Sequence, residues 1–228
     1  MFRRTLLVFL LLNVIKTAGF TQETHKTYTY LGVKGGAIFN SGLGQFNQRL
    51  EALGEQTIQT VVPYIEIQGY IPFYEFSLGM GISIPYYHEN EVEPPNTHIL
   101  LNLYSVNFSL GYNLLGENKK NRLELFTGLG FTTGSVKVTT HNTVPSFEQI
   151  LNGSQNVYEA DGDGSFLLVP GIRFSKLFFN EGISTGLNLS VEYHLHSKDM
   201  VWAAPNFPTI RPNGFITTIG FVAGLRSR

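Results

Sequence analysis

The sequence predicts an all-β protein, an eight-stranded antiparallel up-and-down transmembrane β-barrel. Three observations predict it. Eight segments alternate large apolar residues with small or polar ones, which is the period of a strand with two different faces. The gaps between these segments are alternately short and long, as in a barrel with tight turns on one side of a membrane and open loops on the other. Charged residues make up only 14% of the chain, against about 25% in an average soluble domain.

Residues 1–22 have the pattern of a secretory signal peptide. Residues 1–4 contain two arginines, residues 5–15 are mostly apolar, and the segment that follows is mostly small or polar, which is the order found in such signals. The apolar run is too short to span a bilayer as a helix. We therefore divide the chain into a signal peptide, 1–22, and an outer-membrane β-barrel domain, 23–228.

Each predicted strand begins and ends where the alternation does. The connections after the second, fourth and sixth strands are short, and the others are longer and rich in Asn, Pro, Gly, Ser and His. An even number of strands puts both ends of the domain on the short-turn side, which in this architecture is the periplasm. The predicted strands are 28–39, 58–70, 75–86, 98–113, 122–138, 165–178, 183–196 and 214–226.

One face of each strand is suited to lipid and the other to a narrow, wet interior. A soluble β-sandwich also alternates, but its outer face would be rich in Lys, Thr and Glu, whereas the polar face here is mostly Gly, Ser and Asn. The residues expected to face lipid include Phe76, Leu78, Met80, Ile82, Phe108, Leu110, Leu187, Leu189, Ile219 and Phe221.

Aromatic residues cluster at the ends of the predicted strands, which is typical of the two aromatic girdles of a membrane barrel. The outer girdle would contain Phe39, Tyr86 and Tyr87. The periplasmic girdle would contain Tyr28, Tyr30, Tyr70, Phe73, Tyr74, Tyr112, Phe178 and Phe179.

Charged residues on the inward face predict a polar network inside the barrel. Lys34, Glu66, Arg173 and Glu192 fall at middle depth, and Glu124 falls nearer the periplasmic rim. Opposite charges should pair there because an isolated charge is costly in a narrow interior. Hairpin counting puts no two of the four directly opposite on adjacent strands, and it puts Arg173 opposite roughly Asn188. Contacts would then cross the lumen or follow the shear of the barrel, and we expect them to join the four residues into one hydrogen-bonded network. Because eight strands leave room only for side chains, this network would plug the lumen.

A run of titratable residues near the end of the seventh predicted strand raises two chemical alternatives. Glu192, His194 and His196 share one face and are of the types that ligate zinc. Ser190, Glu192 and His194 are the types found in a hydrolase triad. Successive members lie about 6–7 Å apart along a strand, which argues against direct contact. We therefore predict no catalytic residue and no cofactor, with a metal at the three-residue set as the alternative.

The glycine-interrupted strands also carry a resemblance to a known family. Residues 19–22 (GFTQ), 31–36 (LGVKGG), 76–81 (FSLGMG) and 125–130 (LFTGLG) are similar to the corresponding parts of small outer-membrane β-barrel proteins of Bacteroidetes, the PorT-like family. The resemblance extends over the whole mature chain and implies the same barrel fold.

The expected function is a non-enzymatic structural or interaction role at the bacterial outer membrane, through the outer loops or an envelope or secretion complex. Partners would be outer-membrane lipid and lipopolysaccharide, the barrel-insertion machinery and an envelope protein. With a net charge of −1, the chain has no excess of positive charge that would attract nucleic acid. The alternatives are a lipid-modifying hydrolase similar to lipid A deacylases and a narrow ion channel. In the loops, residues 45–53 predict a short helix, and Trp202 is expected to fold onto neighbouring loops.

Overall fold

A computed structural model of the chain describes residues 28–52, 57–85, 87, 97–116, 120–140, 156–180, 183–203 and 209–226. The predicted signal peptide, residues 1–22, lies outside these ranges. No helix within the described ranges is long and apolar enough to cross a membrane.

Within the described ranges, nine β-strands form one antiparallel sheet, and eight of them match the predicted strands to within three residues at each end. Alternation of large and small residues gives every strand an inward and an outward face. In chain order the strands are β1 (Tyr28–Asn40), β2 (Val61–Phe73), β3 (Phe76–Pro85), β4 (Thr97–Asn113), β5 (Asn121–Thr140), β6 (Asn156–Asp161), β7 (Ser165–Asn180), β8 (Ile183–His196) and β9 (Gly214–Arg226).

Eight strands close into a barrel. β1 pairs with β2 on one side and with β9 on the other, from Tyr28 opposite Arg226 to Asn40 opposite Gly214. The remaining wall strands each pair with both neighbours, in the order β2, β3, β4, β5, β7, β8, β9. The predicted eight-stranded closed barrel is confirmed.

β6 was not predicted as a strand. It pairs with the last residues of β5, from Ser135 opposite Asp161 to Thr140 opposite Asn156, and it precedes β7 along the same edge of β5. Asn and Asp are depleted in strands, so the sequence of β6, NVYEAD, indicated a loop. Pairing with the long strand β5 overrides that local preference.

The barrel has a short-turn end and a long-loop end. The β2–β3, β4–β5 and β7–β8 connections lie at the short-turn end. The β1–β2 connection, at the long-loop end, contains a 3₁₀ helix (Ser41–Leu43) and helix α1 (Gly44–Ala52). The Asn40 side chain accepts a hydrogen bond from the Gly42 N–H at 2.9 Å, which caps the first turn. The helix predicted over 45–53 is therefore confirmed, displaced by one residue.

The outward face is apolar over most of the barrel, as predicted. Eight of the ten residues expected to face lipid are exposed large hydrophobics, and Met80 and Ile82 are half-buried beside them. On β5 the outward side chains are mainly apolar up to Phe131 and polar from Thr133 to Lys137. The apolar band therefore ends near Phe131, and the rest of β5 extends beyond it.

Aromatic rings border this band at both ends, but some of the predicted girdle residues face inward. Tyr30, Tyr70 and Tyr87 are each about 1% exposed. Tyr30 has the same parity on β1 as the inward Lys34, and that parity decides its direction. The exposed rings are Phe39, Tyr104, Phe131, Phe166 and Phe215 towards the long-loop end, and Phe73, Tyr74, Phe76, Tyr112, Phe178 and Phe179 at the short-turn end.

Candidate functional site in the barrel lumen

The lumen concentrates the buried charges of the described part of the chain. Its three cations balance its three carboxylates, so with neutral histidines the interior carries no net charge. The cations are Lys34, Arg122 and Arg173, and the carboxylates are Glu66, Glu124 and Glu192.

Lys34 joins two carboxylates into what we call the Lys34 cluster (Lys34, Tyr64, Glu66, Glu192). Its Nζ lies 3.2 Å from Glu66 Oε1 and 3.8 Å from Glu192 Oε2. The Tyr64 hydroxyl donates a hydrogen bond to Glu66 Oε2 at 2.7 Å. Lys34 and Glu66 are direct cross-strand partners on β1 and β2, so the expectation that no two of the four would face each other on adjacent strands is wrong. The β1–β2 connection is too long for hairpin counting to fix that register.

Arg173 belongs to a second group, the Arg173 cluster (Ser77, Arg122, Glu124, Arg173). Its Nη2 lies 2.6 Å from Glu124 Oε2, its Nε donates to the same oxygen at 2.7 Å, and its Nη2 also donates to Ser77 Oγ at 3.3 Å. Arg173 and Glu124 face each other on β7 and β5. Glu124, expected nearer the rim, is thus the carboxylate that pairs with Arg173.

The register of the β7–β8 hairpin differs from the prediction. Arg173 lies opposite Ser190, and Asn188 lies opposite Ser175. Because Asn180 pairs with Ile183, the turn is centred one residue later than assumed, which moves every partner on β8 by two residues.

Two aromatic rings enclose the Arg173 guanidinium. Its Cζ lies 4.8 Å from the ring centroid of Tyr70 and 5.4 Å from that of Phe126. Phe126 also covers Gly171, where a Cβ atom would come within 2.6 Å of the ring. Arg173 therefore combines a two-donor contact to a carboxylate with cation–π contacts, an arrangement that lysine cannot reproduce.

The sequence prediction missed Arg122. Its Nη2 lies 2.9 Å from Glu124 Oε1, and its Nη2 also donates to the Phe76 carbonyl at 3.1 Å, in the β2–β3 turn region. Arg122 precedes Glu124 by two residues on β5 and so shares its inward face. That spacing is the signal that would have identified it.

The zinc alternative is not supported by the side-chain positions. His194 Nε2 lies 3.8 Å from Glu192 Oε1, whereas the His196 ring contacts Thr132 Oγ1 at 3.0 Å and Asn213 Oδ1 at 3.3 Å. Among the described residues, no group of three His, Asp or Glu side chains is placed to hold a metal ion. The two histidines diverge because each contacts a different part of the wall.

The hydrolase alternative also lacks its central contact. Ser190 Oγ lies 2.6 Å from Thr218 Oγ1 on β9, and His194 Nε2 has no hydrogen-bond partner. Ser190, Glu192 and His194 are all buried inside the lumen, away from the lipid-facing surface. In this set of three residues, the serine therefore lacks the contact with a histidine that would activate it.

Buried hydrophobic clusters lie at both ends of the lumen. At the short-turn end the rings of Tyr30 and Tyr70 stack with centroids 4.8 Å apart and pack with Leu177 and Val222; we call this layer the floor. At the long-loop end, strand ends, α1 and parts of the loops form a larger buried cluster, which we call the cap. The cap consists of Ile38, Leu43, Phe46, Leu50, Ile58, Val62, Tyr64, Tyr87, Ile99, Leu101, Leu103, Val136, Ala160, Met200, Trp202, Ile210 and Ile216.

The β8–β9 connection is fastened to the β6–β7 junction beside the cap. Trp202 is buried and forms a bridge with Gly162, so the prediction that it folds onto a neighbouring loop is confirmed. Asp163 accepts hydrogen bonds from the Lys198 ammonium and, at 2.6 Å, from the Val201 N–H. These two donors hold the pKa of the Asp163 carboxyl below its ordinary value.

We expect this loop contact to weaken in acid. The folded pKa of Asp163 is depressed, so the contact contributes stability above the ordinary aspartate pKa of about 3.9 and loses it as the pH falls through the lower value. The Val201 amide resonance should titrate with a midpoint below about 3.9. Asp163→Asn is the control and should remove the titration; a midpoint at or above the ordinary value would contradict the contact.

The closed wall, apolar exterior and paired interior define a small transmembrane β-barrel. No protein-family model and no curated protein sequence matches the chain. The outer membrane protein OprG of Pseudomonas aeruginosa has a similar structure, with a TM-score of 0.50, 12% identity, and coverage of 88% of this chain and 97% of that one. At this identity the similarity to OprG shows the fold alone.

Two further structures resemble the chain at lower scores. A major outer membrane protein of Thermus thermophilus has a TM-score of 0.49 and 8% identity, covering 89% of this chain and 100% of that one. Ail, the attachment invasion locus protein of Yersinia pestis, has a TM-score of 0.44 and 14% identity, covering 90% of this chain and 99% of that one.

Proposed function

We propose that this protein is a non-conducting, non-enzymatic barrel of the bacterial outer membrane that acts through its long-loop end, as a structural or interaction protein. The observation that carries the proposal is the filled lumen, in which two clusters of paired charges are buried together with the floor at the short-turn end and the cap at the long-loop end. We expect a barrel filled in this way to offer no path for solute, so that its role falls to its surfaces.

The location rests on the exterior and on the fold. A broad apolar surface bordered by aromatic rings matches a bilayer rather than water. The similar structure of OprG is that of an outer membrane protein. Membership of the PorT-like family is part of the proposal and rests on the resemblance of the strand sequences. Lipopolysaccharide, the insertion machinery and an envelope protein are the partners that this location implies.

Planar-bilayer recordings test the closed lumen. The unmodified protein should show negligible conductance because paired charges and buried hydrophobic clusters fill the lumen. Arg173→Ala removes the side chain that fills the space between Tyr70 and Phe126 and should produce transient openings. Lys176→Ala, which removes an exposed cation on the same strand, should remain silent. Steady, ion-selective current through the unmodified protein would establish the channel alternative instead.

Site-directed cross-linking tests the interaction role, since the chain contains no cysteine and any introduced thiol is unique. Arg49→Cys places a thiol on the exposed side of α1, and Leu114→Cys places one at the short-turn end, where Leu114 is exposed. A cross-linker applied to isolated outer membranes should trap a partner through Arg49→Cys. Trapping only through Leu114→Cys would move the interaction to the periplasmic side, and trapping through neither would contradict the interaction role.

A further inference from the structure

A small cavity separates the two charge clusters. Its volume is about 10 Å³, which is close to the minimum that one water molecule needs. Both clusters contribute to its wall, so it lies where neither cluster reaches the other directly. Among its lining residues are Lys34, Glu66, Gln68, Asn107, Arg173 and Glu192.

Two buried polar atoms in the lining residues have no hydrogen-bond partner. Gln68 Nε2 is a donor and Glu192 Oε1 an acceptor, and both side chains are only about 3% exposed. The group nearest to Glu192 Oε1 among the described ion pairs, His194 Nε2, is 3.8 Å away, beyond hydrogen-bond distance. Leaving such atoms unsatisfied costs the desolvation of each, so the cavity is expected to hold a group that satisfies both.

The lining charges restrict what that group can be. Lys34 and Arg173 disfavour a cation, and Glu66 and Glu192 disfavour an anion. The occupant must therefore be neutral, must accept a hydrogen bond from Gln68 and donate one to Glu192, and must fit a space of one water molecule. We propose that the cavity is a binding site for one ordered water, which links the Lys34 cluster and the Arg173 cluster into a single hydrogen-bonded network.

Glycines on β3 make room for this site. A Cβ atom on Gly81 would come within 2.5 Å of Glu66 Oε1 and 3.0 Å of Asn107 Nδ2, and one on Gly79 within 2.5 Å of Ser109 Oγ. A larger residue at either position would force these polar side chains to move. Because Gly79 and Gly81 have no side chains, the space beside them is left for the water molecule.

Water-to-amide NMR of the detergent-solubilised wild-type barrel tests the proposal. The side-chain amide protons of Gln68 should give NOE and ROE cross-peaks with water of opposite sign, the mark of a long-lived water. Ser105→Ala removes a buried hydroxyl that is hydrogen-bonded to Thr132 outside the cavity, and the cross-peaks should persist in it. Absence of the cross-peaks in the wild type, or their loss in Ser105→Ala, would overturn the proposal.

A crystal structure supplies the second measurement. Electron density for one water should lie within hydrogen-bond distance of Glu192 Oε1, and Gln68→Met, which keeps the volume and removes the amide, should abolish that density. Density that persists unchanged in Gln68→Met, or that refines as an ion in the wild type, would show that Gln68 and Glu192 do not form this site. The NMR measurement on the wild type decides the question even if Gln68→Met does not fold.

Discussion

Replacing Arg173 by Met should lower the free energy of unfolding by about 3–5 kcal/mol, the cost of breaking a buried ion pair on one side. The change removes the Nη2 and Nε contacts to Glu124 and leaves a carboxylate that is almost fully buried with Arg122 as its remaining partner. It also removes the cation between Tyr70 and Phe126. Urea unfolding of the barrel in lipid vesicles measures the difference.

Three variants distinguish the buried pair from a general effect of losing an arginine. Arg211→Met breaks an exposed pair with Asp199 and should cost at most about 1 kcal/mol. Arg173→Lys keeps the charge but not the two-donor contact, so its loss should be intermediate. Adding Glu124→Gln to Arg173→Met should cost less than the sum of the single changes. Additivity of the two changes would contradict the direct coupling.

An arginine at Leu189 should destabilise the barrel by about 2–4 kcal/mol, the range for a cation on the lipid face near the midplane of a membrane barrel. Leu189 lies in the middle of β8, opposite Phe174 on one side and Ile219 on the other, and it is 50% exposed on the outward face. The charge would have no water to solvate it at that depth. Unfolding in lipid vesicles gives the loss directly.

The matched control for Leu189→Arg is Leu114→Arg. Leu114 has nearly the same exposure, 49%, but it follows the last residue of β4 at the short-turn end. A cation at the interface should cost only about 0–1 kcal/mol. Equal losses at the two positions would mean that the apolar band has been assigned to the wrong part of the wall.

Local pattern was sufficient to predict most of the fold. Alternation alone located the eight wall strands and the side chains that face lipid. With a period of two, one side chain whose face is known fixes the face of every other side chain in the strand. The same rule, applied to Tyr30 and Tyr70, would have turned them inward with Lys34 and Glu66. Their β-propensity and position near strand ends suggested a girdle, but parity decided their direction.

The contacts within the lumen were harder to predict. Inward parity identified Lys34, Glu66, Arg173 and Glu192, yet which charges meet depends on register. The register across the long β1–β2 connection is set by barrel closure, and the register of the β7–β8 hairpin depends on one residue in its turn. Arg122 was missed because it stands at the start of its strand, where the ends of predicted elements are least certain.

The length of β5 has a consequence for how the molecule meets its surroundings. Its 20 residues extend about 66 Å at about 3.3 Å per residue, and a tilt of about 40° leaves a height of about 50 Å. The apolar band of such a barrel is only about 25 Å tall. The upper wall formed by β4, β5 and β6 therefore extends well beyond the apolar band. We expect that a large molecule on that side of the membrane could contact this part of the wall laterally, along the outward Lys137 and Glu159, without contacting the end of the barrel.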